Sequence, residues 1–181
     1  KESDPGYADE CLDRAIRCYE WLHTREISLT ADHALLAISE MHLSERTGDP
    51  VHDQRASVQI ENVCDAFEYD PEKETAFFRR SSRHGPLREF GWMYYGMSEF
   101  VRKYPGHYLN ERIMGIAGIF SAQYLKPFHD QNAFSILPWL ASNGEMDGGR
   151  TMGSYSYKYF LHVGMNRHLA LDAFGLLKLM E

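Results

Sequence analysis

Thr30-Ala-Asp-His-Ala-Leu-Leu-Ala-Ile-Ser-Glu-Met-His-Leu-Ser-Glu-Arg-Thr-Gly-Asp-Pro50 decides how this chain folds, because it writes one helix, its stop and the start of the next with almost nothing between. Ala34, Leu35, Ile38, Met41 and His42 recur at helical spacing and place a helix over Ser28–Arg46. Gly48 tolerates the left-handed backbone that ends a helix. Asp49 then offers an N-cap acceptor, and Pro50 fills the first helical position, where a missing N–H is harmless. The following helix runs to about Phe67, with Ala56, Ile60, Val63 and Phe67 in register. Helices joined so tightly fold back on one another, so the unit is an antiparallel hairpin.

Outward from this joint the same pattern continues. Upstream, Leu12, Ile16 and Tyr19, flanked by Cys11, Ala15, Cys18 and Leu22, give a broad apolar face to a helix over Tyr7–His23. Downstream, residues 69–85 read as a long polar connection, rich in charge, Ser, Gly and Pro. An aromatic helix follows over Pro86–Lys103. Tyr104-Pro-Gly-His separates it from a helix over Asn110–Tyr124, which carries Ile113, Ile116, Ala117, Phe120 and Tyr124 along one stripe. Two more helical patterns span Ser154–Val163 and Met165–Met180. Apart from short pieces such as Phe134–Leu137, nothing alternates with period two. The expected fold is all-α, a train of antiparallel helix hairpins without a repeat of fixed length.

Composition bounds the function. The chain has 181 residues, 44% of them apolar, enough for one domain or a large piece of one with a core that needs no disulfide staple. Its net charge of −7 and lack of any Lys/Arg block argue against nucleic acid as a partner, since phosphate binding needs clustered cations. No apolar run approaches the ~20 residues that cross a bilayer, so no membrane span is expected. The three cysteines, Cys11, Cys18 and Cys64, are expected to be buried small hydrophobes. Cys11 and Cys18 lie seven positions apart along one helix, too far for an ordinary disulfide.

Three segments together carry a family resemblance. The Thr30–Pro50 joint resembles the helix joints of (α/α)6-toroid carbohydrate enzymes, in which an Ala/Leu-rich helix ends in Thr-Gly-Asp. Asn132-Ala-Phe-Ser-Ile-Leu-Pro, then Gly153-Ser-Tyr and an apolar helix pair, is similar to the late part of glycoside hydrolase family 9 catalytic domains. Gly91-Trp92, opening the aromatic helix, fits the same order. The chain departs from that family at Met152, where a tryptophan is usual, at Tyr155 in place of asparagine, and at Ala133 and Ser135 in the turn. The family's Asp-Ala-Gly-Asp motif, its late His-Arg segment and its terminal general-acid Glu are absent. The resemblance therefore implies one all-α domain over residues 1–181, or a fragment of a larger (α/α)6 catalytic domain whose acid/base groups fall before Lys1 and after Glu181. It also implies a secreted or periplasmic protein.

On this reading the chain is part of an inverting glycoside hydrolase acting on β-linked polysaccharide or oligosaccharide, and it shapes the cleft wall. Sugar clefts use aromatic faces against the ring and polar groups for hydroxyls. Trp92, Trp139 and Tyr155 are the candidate stacking platforms, and Arg83 and His84 the candidate hydroxyl or carboxylate partners. Asp32, Glu89, Glu111, Asp130, Glu145 and Asp147 are available carboxylates, but no motif pairs any two, so no catalytic pair is assigned. The nine histidines show no His-Glu-x-x-His spacing and there is no Cys-x-x-Cys, so no metal or cofactor is expected. Gly144-Glu-Met-Asp-Gly-Gly reads as an acidic turn. The partners are then a carbohydrate substrate and the remainder of a larger catalytic domain. The alternatives are a helical-repeat interaction module without catalysis, or another toroid enzyme such as a polysaccharide lyase or sugar epimerase.

Overall fold

The computed structural model describes residues 4–72, 75–79, 86–120 and 122. Within them the protein is mostly helical. The elements are α1 (Pro5–His23), α2 (Thr30–Thr47), α3 (Pro50–Asp65), β1 (Phe67–Asp70), β2 (Thr75–Phe78), α4 (Pro86–Lys103) and α5 (Leu109–Phe120). The helical patterns over Ser154–Val163 and Met165–Met180, and the end of the one reaching Tyr124, lie outside the described residues.

The joint between α2 and α3 is built as its sequence dictates. Gly48 adopts φ 70° and its N–H closes on the Ser44 carbonyl, while the Asp49 side chain accepts from the Val51 N–H with Pro50 at the first helical position. At the start of α1, Asp4 accepts from the Gly6 N–H in the same way. Gly106, with φ 85°, lets the chain turn between α4 and α5.

Residue pairings fix the sense of each helix. His33 meets Gln59 and Glu40 meets His52, so α2 and α3 are antiparallel. Lys103 Nζ donates to the Met41 carbonyl, 62 positions away, and Gly96 lies against Ala34 at the same spacing, so α4 runs parallel to α2. Tyr108 meets Glu61 and Arg112 meets Asp65, both 47 positions apart, so α5 runs parallel to α3. Two antiparallel hairpins, α2–α3 and α4–α5, thus lie side by side with first arms adjacent and second arms adjacent. A single main core fills them, including Ala34, Met41, Ile60, Val63, Met93, Tyr94, Met97, Phe100 and Ile113.

Several expectations are corrected. The polar connection after α3 contains an antiparallel β-hairpin, with Phe67 opposite Phe78 and Tyr69 opposite Ala76. Phe78 is fully buried and sits edge-on to both Phe67 and Tyr94, so aromatic burial overrides the polar composition around it. The base of the hairpin, beside the end of α3, is anchored by Thr30 Oγ1 donating to the Arg79 carbonyl and by an Arg79–Glu68 ion pair. Helix α2 buries two faces rather than one: Ala34, Ala37 and Met41 face the main core, and Leu36, Glu40 and Leu43 face α1, while Leu35 and His42 are exposed. Helix α1 does not form a hairpin with α2. Tyr19 meets Leu36 and His23 meets Glu40, both 17 positions apart, so the two run in the same sense, and the irregular segment 24–29 carries the chain back. Of the cysteines only Cys64 is buried; Cys11 and Cys18 lie on the exposed flank of the α1 face that packs, which is centred on Leu12, Ile16 and Tyr19. Burial pushes the Cys64 thiol up to about 11.

Candidate functional site

The densest polar assembly among the described residues lies where α1, α2 and α3 meet. Glu40 has no exposed surface, yet it carries a carboxylate. Such a charge is tolerable only when its oxygens are fully engaged. His23 Nε2, from the last turn of α1, lies 2.7 Å from Oε1. His52 Nδ1, from the first turn of α3, lies 2.5 Å from Oε2. Against an ionised carboxylate each of these imidazole nitrogens is the donor. The Arg55 guanidinium stands 4.0 Å from the Glu40 carboxylate and bonds Glu20 at 2.9 Å. Tyr19 donates to the Leu36 carbonyl at 2.8 Å. Burial, with the Glu40 charge beside it, drives the Tyr19 phenol strongly upward, so it stays a neutral donor. The hydrogen bond from Arg55 holds Glu20 below the usual carboxylate range and raises Arg55 in turn.

A second assembly ties the α2–α3 joint to the turn between α4 and α5. Asp53 accepts from Ser44 Oγ at 2.5 Å and from the Tyr104 hydroxyl at 2.6 Å, with Lys103 Nζ at 4.0 Å. Burial alone would raise Asp53, but the bonds from Ser44 and Tyr104 and the nearby Lys103 outweigh it and hold its carboxyl low. Both assemblies fasten helices together. Both oxygens of Glu40 are taken and the group is out of water, so it is not arranged to exchange a proton with a substrate.

Of the expected substrate contacts, Trp92 lies on α4, half-buried against the main core. Arg83, His84, Trp139 and Tyr155 lie outside the described residues. Among the candidate carboxylates, Asp32 is half-buried in the first turn of α2 and Glu111 is exposed at the start of α5. The side chain of Glu89 and the residues Asp130, Glu145 and Asp147 lie outside the described set. Among the described residues no three His, Cys, Asp or Glu side chains are grouped to hold a metal ion, and no helix is long and apolar enough to cross a membrane.

Sequence reasoning passed over Glu40, whose partners sit 17 and 12 positions away on other helices. One signal was present. Leu36, Glu40 and Leu43 follow one another at helical spacing, so an acidic residue occupies the middle of an apolar stripe.

Comparison with known proteins gives no relative: no family model, no curated protein and no solved structure matches the chain.

Proposed function

We propose that this chain is part of a glycoside hydrolase of the (α/α)-toroid kind, acting on a β-linked polysaccharide or oligosaccharide, and that it forms a wall of the substrate cleft. The supporting observation is the packing of α2–α3 and α4–α5, antiparallel hairpins with like arms side by side, which is how each step of such a toroid is laid down. The Thr47-Gly48-Asp49-Pro50 joint and the aromatic helix α4 agree with the sequence order of the family it resembles. The helical-repeat module fits less well. First arms are spaced by 62 residues and second arms by 47, with a β-hairpin inserted between, whereas stacked repeats keep a fixed length.

Hydrolysis by single displacement needs two carboxyl groups about 6.5–9.5 Å apart, one protonated and one activating water. Neither assembly described above offers that pair, and the part proposed for this chain is to wall the substrate cleft. Isothermal titration of the natural full-length protein with β-glucan, xylan and chitin oligosaccharides, alongside a reducing-end assay, tests the reading. Binding or turnover with one of these glycans is expected, and Trp139→Ala and Tyr155→Ala are expected to weaken that binding about tenfold, the scale of one lost aromatic contact. Neither binding nor turnover with any of them would overturn it.

A further inference from the structure

Helix α1 is attached differently from every other described helix. Its apolar contacts form a cluster separate from the main core, with Tyr19 from α1 meeting Leu36 and Leu43 from α2, and with Leu12, Ile16, Leu22 and Ile27 packed around them. Its polar ties all leave its last turns: Tyr19 to the Leu36 carbonyl, Glu20 to Arg55 and His23 to Glu40. The earlier turns contribute only Leu12 and Ile16 to the contact, and the remaining residues from Tyr7 to Arg17 are exposed. The connecting segment 24–29 has no regular structure, so it offers little resistance to movement of the helix.

We propose that α1 is a releasable strap, undocking from α2 and α3 as a unit with Glu40 as its catch while the two hairpins stay folded. Docked, the strap covers Glu40 and, with it, the face of α2 that carries Leu36 and Leu43. Undocked, it leaves the Glu40 carboxylate bonded to His52 and brings it into water, where the loss of the His23 bond is compensated by solvent. The apolar area given up is that of the satellite cluster alone, so opening is far cheaper than separating α2 from α4.

Hydrogen exchange of the whole protein, resolved by segment, tests this. The amides of residues 9–23 are expected to exchange together, at least about tenfold faster than those of residues 54–65 in α3. His23→Ala, which deletes one tie from a half-exposed side chain, is expected to speed exchange of α1 about tenfold further and leave α3 unchanged. Glu40→Gln alters the His52 tie as well as the His23 tie, so it is expected to speed exchange of α1 more than that of α3; should it not fold, His23→Ala decides alone. Equal exchange of α1 and α3 in the unaltered protein, or equal acceleration of both by His23→Ala, would overturn the proposal.

Discussion

Two of the seams made by helix α2, toward α4 and toward α1, are built on opposite principles. Toward α4 the contact is close and apolar: a Cβ placed on Gly96 would lie 3.1 Å from both the Cβ and the carbonyl oxygen of Ala34, and Met93, Met97 and Phe100 fill the main core around it. Toward α1 the contact is organised around a charge, Glu40, held by an imidazole from each side. The apolar seam gains free energy with every buried methylene, and it is tolerant of direction. The polar seam gains little net, because desolvating the carboxylate consumes most of the attraction, but its hydrogen bonds are satisfied in one register only. That difference explains why α1 can lie parallel to α2 without forming a hairpin: its seat is fixed by Tyr19 and His23, not by a short loop.

The comparison breaks most severely at the apolar seam. Phe100→Ala, at a fully buried position, should cost about 3–5 kcal/mol, read as a fall in the urea midpoint for the whole hairpin pair. A cost below about 1 kcal/mol would mean the main core is not packed around this ring. Glu40→Gln comes next, at about 1–3 kcal/mol, because the amide turns an N–H₂ toward an imidazole donor and leaves one buried group unsatisfied. Its damage should be greatest in α1, visible as lost amide protection there, and smaller in α3, which His52 ties to the same carboxylate; loss spread evenly over all helices would erase the distinction between the seams. Gly96→Ala is smaller, about 1 kcal/mol destabilising, since crowding against Ala34 outweighs the better helix propensity of alanine. A gain in the urea midpoint would show that α2 and α4 are not in such close approach.

The smallest effect concerns acid. Asp53 has a folded value below its unfolded value, because bonds from Ser44 and Tyr104 with Lys103 nearby outweigh the effect of burial. Its stabilising contribution is therefore complete above the unfolded value near 4 and is lost as the pH falls through the depressed folded value. Asp53→Asn should flatten the stability profile below about pH 4 and leave its shape near pH 7 unchanged. An unaltered slope at acid pH would remove Asp53 from the ties between the hairpins.

The hairpins were legible in the sequence because local chemistry writes them. Gly48, Asp49 and Pro50 mark the α2–α3 joint to within a residue or two, and Ala56, Ile60 and Val63 are the buried stripe of α3 that their spacing implies. What was not legible depends on long-range partners. Phe67 and Phe78 pair across a turn whose composition is polar, so period two is masked over such short strands. Cys11 and Cys18 share a helix with Leu12 and Ile16 and look equally suited to a core, but only the partner helix decides which side is covered. Glu40 interrupts the apolar stripe of Leu36 and Leu43, but the imidazoles that hold it come from two other helices.

The α4 and α1 seams of α2 are expected to fail separately, and the chain carries its own reporter for one of them. Cys64 is buried in the main core on α3, where burial keeps its thiol protonated and unreactive, while the α1 amides report on the polar seam. A single urea series following amide exchange over residues 9–23 and modification of Cys64 in the same samples reads both. The account predicts that α1 loses protection at urea concentrations where Cys64 is still unmodified. Loss of both at the same urea concentration would contradict it.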